Sequence, residues 1–233
     1  MNAGAPASRR PLSTAERRAR LEHHDILAMH ALAPLSTGYL PWTVSSMRPS
    51  GVAAVLNEIV VNRRRHIVEL GGGISTCFIA RLLSGRGGHL WTVEHDEGWA
   101  GVLREELARE GLDALATVVH APLTGIDDGW PGEQSRWYDR DRLREATAAG
   151  PADLLIVDGP PAYQEGLGHA RYPAVPFFAP LLAADHTIIL DDIDRLGEQD
   201  IMRRWEREFG TAFESRPVRG RIGVWHSRPA YTI

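Results

Sequence analysis

The chain has 233 residues, a formal net charge of −4 and a single cysteine, Cys77. The length suits one sizeable α/β domain, and the small net charge argues against a general nucleic-acid or membrane binder. One cysteine excludes an internal disulfide and a multi-cysteine zinc site, and all 26 basic residues are arginine, which excludes lysine-based chemistry. No apolar run is long enough to span a bilayer, so we expect a cytoplasmic protein.

The N-terminal part is predicted to be separate from the main domain, with residues 1–48 forming a tail, a helix and a covering segment before a domain at 49–233. Residues 1–20 are rich in arginine, alanine and serine, which is typical of a disordered basic tail. Apolar residues recur at helical spacing over 13–33. The segment 39–47 is aromatic and contains a proline, so it should lie extended, either as a ligand cover or as a packing strap.

The clearest motif is an apolar run stopped by three glycines and followed by Ser75 and Thr76, which predicts a strand, a tight loop and a helix start. Gly71 and Gly73 allow positive φ angles and a close approach to a ligand, and Ser75 or Thr76 can cap the helix. Glu69 lies near the carboxyl end of the strand, where it would repel a diphosphate and attract a sulfonium. Thr76 also replaces the third glycine of the dinucleotide fingerprint. S-adenosylmethionine (SAM) is therefore favoured over NAD.

Further apolar runs predict strands whose ends carry acids or a histidine. They are residues 89–94, 116–120, 153–158 and 186–192, which end at Glu94, His120, Asp158 and the pair Asp191 and Asp192. Amphipathic helical patterns separate the runs, and this alternation is typical of a parallel sheet. The last segment differs, because two short strands at 212–216 and 222–226 are joined by a turn, which indicates an antiparallel hairpin.

Residues 124–140 and 166–176 have no clear period and are predicted to be loops that cover a substrate. The first loop contains three aromatic residues, Trp130, Trp137 and Tyr138. The second contains His169, which is a candidate catalyst because it is the one histidine in a predicted substrate loop.

The pattern Glu-x-Gly-x-Gly-x-Ser at residues 69–75 resembles motif I of the class I SAM-dependent methyltransferases, with Ser75 at the place of the usual third glycine. The resemblance extends from about residue 49 to the C-terminus. It implies a three-layer α/β/α sandwich with a mostly parallel seven-stranded sheet that ends in an antiparallel hairpin. It also implies SAM as cofactor and a small molecule as acceptor, with no nucleic-acid or membrane partner.

The resemblance further implies which residues contact SAM. The acid at the end of the second strand in this family bonds both ribose hydroxyls, a role that falls to Glu94 with the neighbouring His95. The backbone at Ala121 and Pro122 would lie beside the adenine, and Asp158 would lie next to the reacting methyl group. The full predicted cofactor-binding set is Glu69, Gly71, Gly73, Ser75, Thr76, Glu94, His95, Ala121, Pro122 and Asp158.

Asp158, Asp191 and Asp192 form a candidate metal site, because they end adjacent strands and three carboxylates with water suit a hard cation such as Mg²⁺. Some metal-dependent sugar and catechol O-methyltransferases look similar here, and a metal would lower the pKa of an acceptor hydroxyl. The alternative is structural, with Asp192 capping the following turn and Asp194 pairing with Arg195 or another arginine.

The favoured function is methyl transfer from SAM to a hydroxyl of a sugar, polyol or natural product, with Asp158 and His169 as catalytic candidates. Three alternatives remain open: an N- or C-methyltransferase, a metal-dependent hydroxylase-like enzyme on the same fold, and a non-catalytic SAM-binding protein. The helix at 13–33 and Trp42 offer a surface for a homodimer.

Overall fold

The computed structural model of the protein describes residues 12–133 and 135–233, so that most of the predicted basic tail lies outside the described residues. The α-helices are α1 (Thr14–Leu32), α2 (Pro49–Val61), α3 (Ile74–Ser84), α4 (Glu97–Arg109), α5 (Arg140–Glu145), α6 (Ala174–Phe178) and α7 (Leu196–Phe209). The strands are β1 (His66–Leu70), β2 (His89–Glu94), β3 (Ala116–His120), β4 (Leu123–Gly125), β5 (Arg136–Tyr138), β6 (Ala152–Val157), β7 (Leu182–Leu190), β8 (Glu214–Arg216) and β9 (Ile222–His226).

The main sheet has seven strands in the order β3-β2-β1-β6-β7-β9-β8. Strands β3, β2, β1, β6 and β7 pair in parallel, whereas β9 is antiparallel to both β7 and β8. The predicted fold class, a mostly parallel seven-stranded sheet ending in an antiparallel hairpin, is confirmed. The strand order reverses between β1 and β6, and open α/β sheets bind their ligands at such a switch point.

Successive side chains of the central strands point into two different apolar layers, as the pleat requires. On β1, Ile67 packs in the layer that contains residues of α2, α3 and α4, and Val68 packs in the layer that contains residues of α5, α6 and α7. Leu154 and Leu155 on β6 divide in the same way. Both faces of the sheet are covered, which explains why these strands read as nearly continuous apolar runs.

Helix α1 packs against the start of α2 through a buried acid. Asp25 accepts hydrogen bonds from the Ser50 amide at 3.1 Å and from Arg48 Nε at 2.7 Å. The outer side of α1 leaves Ile26 and Leu27 exposed by 60% and 52%. Among the described residues, no helix combines the length and the hydropathy that crossing a bilayer requires.

The prediction that 124–140 is an aromatic covering loop is wrong in part. Strands β4 and β5 pair there as a two-stranded antiparallel sheet, and α5 follows directly. Trp137 and Tyr138 on β5 are fully buried, and the Trp137 ring lies 5.3 Å from that of Phe177. Short strands of this kind carry too few residues for a periodic pattern to be visible in the sequence.

Candidate functional site

A cavity of about 700 Å³ opens at the carboxyl ends of β1 and β6, within the range of roughly 300–1,000 Å³ that small-molecule sites occupy. One side of it is the glycine loop after β1 together with Glu94, His95, Asp96 and Trp99. The other side is formed by Tyr138, Asp158, Gly159, Pro161, Tyr163, Arg171, Asp192 and Arg195. Residues 43–47 of the predicted covering segment also line it.

The glycine loop is shaped by its contact with the end of β6. Gly71 has φ +94°, and a Cβ there would lie 3.0 Å from the backbone of Asp158 and Gly159, so only glycine fits without displacement. The expectation of a positive φ at Gly73 is wrong, because its φ of −168° is extended backbone. Gly73 instead faces open space, where a Cβ would meet nothing within 4 Å.

Helix α3 begins one residue after Gly73, and the prediction that Ser75 or Thr76 is its N-cap is wrong. Both side chains lie in the first turn and point back to Glu69, donating from Ser75 Oγ at 2.6 Å and from Thr76 Oγ1 at 2.5 Å. Thr76 Oγ1 also accepts the Gly73 amide at 3.0 Å. Both hydroxyls donate to Glu69 on the preceding strand, a contact that a capping rule based on local sequence does not anticipate.

Glu69 lies behind the loop and not in the cavity. It is fully buried and accepts a third hydrogen bond from Thr92 Oγ1 at 2.7 Å. Burial raises the pKa of Glu69, against the lowering effect of its hydroxyl donors. The carboxylate therefore fixes the loop and the start of α3, whereas the sequence predicted a direct contact with the cofactor.

Glu94 lines the cavity at the end of β2. Its Oε1 accepts the amides of His95 at 2.7 Å and Asp96 at 2.8 Å, and its Oε2 accepts the Gly72 amide at 3.2 Å. Because a carboxylate offers about four acceptor positions, Oε2 keeps a position for a ligand hydroxyl. The hydrogen bond from His95 Nδ1 to Glu94, 2.7 Å long, raises the pKa of His95.

Ala121 and Pro122, like Glu69 and Thr76, are predicted cofactor residues that do not line the cavity. Ala121 is buried, and its amide donates to the Glu94 backbone carbonyl at 2.8 Å. Pro122 is exposed and accepts the Asp139 amide at 2.9 Å. Both lie where β3 ends beside β2, so they adjoin the Glu94 side of the site.

The three predicted metal ligands do converge. Asp158, Asp191 and Asp192 each place a carboxylate oxygen within 4.8 Å of the others. Burial, and then the nearby Asp191, raises the pKa of Asp158 well above its usual range. Burial and Asp192 raise the pKa of Asp191 to about 7. The Gly159–Pro160 peptide after Asp158 is cis.

Arginines surround this cluster and leave a poor fit for a metal ion. Asp192 Oδ1 is bound by Arg221 at 2.7 Å, and Asp192 Oδ2 by Arg195 at 2.8 Å and Arg171 at 3.2 Å. Mg²⁺ needs oxygen ligands at roughly 2.0–2.1 Å in octahedral geometry, and here both oxygens of Asp192 already bind guanidinium groups. Asp194 pairs with Arg221 at 3.4 Å, which agrees with the structural alternative that Asp194 pairs with Arg195 or another arginine.

His169 does not line the cavity. Its ring stacks on Trp130 with a centroid distance of 3.9 Å, its Nδ1 lies 2.6 Å from Glu133 Oε1, and its Nε2 lies 3.6 Å from Asp200 Oδ2. These partners hold the imidazole between a loop and α7, outside the cavity that Asp158 lines, so a catalytic role of His169 stays a prediction.

Among the cavity residues that the sequence analysis did not propose as site residues, Arg171 and Tyr138 are polar and buried. Arg171 is 3% exposed. The sequence signal that could have identified it is the group of acids at the strand ends, because buried acids need a cation beside them. Tyr138 was taken for part of a cover, but its hydroxyl is buried at the cavity wall, where a Cβ on Gly159 would lie 2.2 Å from it. That hydroxyl has no hydrogen-bond partner among residues 12–133 and 135–233.

A family model described as a methyltransferase domain matches residues 68–193, more than half of the chain. A search of curated protein sequences found no match.

Solved structures share the fold at low sequence identity. An SAH-bound methyltransferase from Podospora anserina is 13% identical with a TM-score of 0.63, over 94% of this chain and 98% of that one. A Staphylococcus aureus protein assigned as a caffeoyl-CoA O-methyltransferase is 12% identical with a TM-score of 0.56, over 91% and 99%. A methyltransferase-like protein from Silicibacter pomeroyi is 20% identical with a TM-score of 0.54, over 80% and 88%.

Proposed function

The chain belongs to the methyltransferase family, and from this premise we propose that it transfers a methyl group from SAM to a hydroxyl of a small molecule such as a sugar or natural product. One observation carries the proposal: a single cavity joins the glycine loop and Glu94 on one side to Asp158 on the other. The first side suits a nucleoside with an amino-acid tail, and the second offers a base.

The proposed donor contacts are the backbone of the glycine loop and Glu94. The Gly72 and Gly73 backbone faces the cavity without side chains in the way, and Trp99 Nε1 donates to the Gly72 carbonyl at 2.8 Å, which fixes that peptide. Glu94 is held by backbone amides, and a carboxylate fixed in this way is suited to accepting a ribose hydroxyl at Oε2. These residues would orient the donor before an acceptor enters.

Bound SAM supplies an electrophilic methyl group on a sulfonium. The work left for the chain is to hold the acceptor in line with that methyl group, exclude water and take the hydroxyl proton. Asp158 is the acid at the cavity wall for the last task, and the raised pKa that burial gives it makes it a stronger base. Residues 43–47 would close the cavity against water. None of the proposed steps uses a divalent metal.

Isothermal titration of the purified chain tests the donor assignment. We expect SAM and S-adenosylhomocysteine (SAH) to bind without added metal, and NAD to bind at least about a hundredfold more weakly, a difference near 2.7 kcal/mol. A panel of hydroxyl compounds with methyl-labelled SAM, followed by NMR of the product, then identifies the methylated atom. Preference for NAD, or no binding of SAM and SAH at millimolar concentration, would contradict the proposal. Methylated nitrogen or carbon would favour the N- or C-methyltransferase alternative.

A further inference from the structure

Arg171 lies at the centre of the acidic cluster. Its Nη2 donates to the Asp158 backbone carbonyl at 2.7 Å and lies 3.3 Å from Asp158 Oδ1 and 3.2 Å from Asp192 Oδ2. Its Nη1 donates to the Asp191 carbonyl at 3.3 Å. One buried guanidinium thus joins the ends of β6 and β7, between the same carboxylates that a divalent ion would have to join.

The charges of this cluster are nearly balanced without another cation, with one carboxylate in excess. The four acids Asp158, Asp191, Asp192 and Glu198 face the three arginines Arg171, Arg195 and Arg221. Glu198 Oε1 lies 3.7 Å from both Arg171 Nη1 and Arg195 Nη1. A divalent ion between the carboxylates would lie next to the guanidinium of Arg171, and two cations repel strongly where little water screens them.

Building on the proposed function, we infer that Arg171 is the resident cation of this site, so that it positions Asp158 beside the acceptor and makes the reaction independent of a divalent metal. Its guanidinium is permanently charged and presents donors in a fixed fork. It therefore holds both strand ends in one arrangement. Arg171 is a positioning residue, since it acts through Asp158.

The metal-free wild-type chain provides the first test. Mn²⁺ is the probe, and its free fraction is read by electron paramagnetic resonance after the protein has been treated with EDTA. We expect no bound Mn²⁺ up to about 1 mM, and turnover of any acceptor found in the panel to stay within about twofold with or without EDTA. One Mn²⁺ bound per chain, or turnover that EDTA removes and Mg²⁺ restores, would overturn the inference.

Substitution of Arg171 provides the second test. Arg171→Gln removes the central cation and its contact with Asp158 Oδ1, while Arg195 and Arg221 still bind Asp192. We therefore expect it to bind Mn²⁺ at least about tenfold more tightly than the wild type. Arg171→Lys keeps the cation and should bind no Mn²⁺. Arg81→Gln is the matched control, because Arg81 is a buried arginine that pairs with Glu110 away from the cluster, and it should leave Mn²⁺ binding unchanged.

Circular dichroism shows whether Arg171→Gln folds. A folded Arg171→Gln that binds no more Mn²⁺ than the wild type contradicts the inference, and if this variant does not fold, the wild-type and Arg171→Lys titrations decide. SAH titration separates the two proposals: a chain that binds SAH but requires a metal refutes the role of Arg171 alone, whereas a chain that binds no SAH refutes the proposed function.

Discussion

Asp158 is the residue on which the proposed chemistry depends. It lines the cavity directly after β6, and Asp158→Asn preserves its size while removing the base. We expect turnover to fall by at least about a hundredfold, the usual contribution of a general base. SAH affinity should stay within about tenfold, near 1.4 kcal/mol. Initial rates and calorimetry measure the two effects, and a variant with undiminished turnover would exclude Asp158 as the base.

The Tyr138 hydroxyl is buried at the cavity wall without a partner in the described part of the chain, and burial raises the pKa of Tyr138 so that it stays a neutral donor. We expect Tyr138→Phe to weaken SAH binding by about tenfold, because a hydrogen bond worth roughly 0.5–1.5 kcal/mol is lost. Its unfolding free energy should be unchanged.

Tyr172→Phe is the control for Tyr138→Phe. The Tyr172 hydroxyl donates to Glu208 at 2.7 Å outside the cavity, so this variant should lose about 1 kcal/mol of stability and bind SAH normally. Calorimetry and urea unfolding separate the two variants. Equal SAH affinity in wild type and Tyr138→Phe would count against a ligand contact at Tyr138.

At the scale of elements, the glycine loop gives a matched pair of substitutions. Gly71→Ala requires a positive φ of an L-residue and brings a Cβ to 3.0 Å from the backbone after β6, so we expect at least about 1–2 kcal/mol of destabilisation. Gly73→Ala has an extended φ and open space around the new Cβ, so its stability should stay near that of the wild type. Urea unfolding measures both, and similar losses in the two variants would contradict this account.

A buried network ties the end of α2 to β7 and β9. Glu58 accepts from Arg64 Nε at 2.9 Å, from Thr187 Oγ1 at 2.6 Å and from His226 Nε2 at 3.0 Å. Burial alone would raise the pKa of Glu58, but hydrogen bonds from His226, Thr187, Arg64 and Asn62 together lower it to about 2. The acid therefore stabilises the fold while it is ionised.

The lowered pKa of Glu58 predicts a pH dependence. Its stabilisation is fully present above the unfolded pKa of about 4.3 and is lost as the pH falls towards 2. Glu58→Gln should cost about 3 kcal/mol at pH 7, and the difference from wild type should shrink between pH 5 and pH 3. Glu145→Gln, in an exposed pair with Arg142, should change stability by less than about 1 kcal/mol. If the unfolding free energy lost in Glu58→Gln did not vary with pH, the proposed link between stability and the ionisation of Glu58 would be excluded.

For the whole molecule, binding of the donor should raise thermal stability. SAH at a hundred times its Kd adds about 2.7 kcal/mol, which for a chain of this size corresponds to roughly 5–10 °C in Tm. NAD at the same concentration should leave Tm unchanged, because the cavity presents Glu94 and Asp158 to a diphosphate. Differential scanning fluorimetry checks both, and a shift with NAD alone would contradict the assignment of the donor.

The expected homodimer, the division at residue 48 and the cytoplasmic location stay predictions. Ile26 and Leu27 on α1 are exposed, and Trp42 is partly covered, with its ring 6.0 Å from that of Phe78. Light scattering of the purified chain measures the oligomeric state directly.

The sequence by itself determined the class of fold, because strand and helix periods and the closing hairpin are local patterns that survive into the sheet. It also identified Gly71, Glu94 and Asp158 at the edge where the cavity lies, since the carboxyl ends of parallel strands share one edge. The sequence did not determine the direction in which each of these side chains points.

Only the tertiary structure decided which way the polar side chains point and what neutralises them. Glu69 points towards hydroxyls of α3, and His169 points towards Glu133. Asp158, the first of the three predicted metal ligands, lies beside Arg171, which is 13 residues away in the chain. Buried charges must find partners wherever the fold brings them. Because these partners lie on other elements of the fold, six or more residues away in the chain, no local pattern records the pairing.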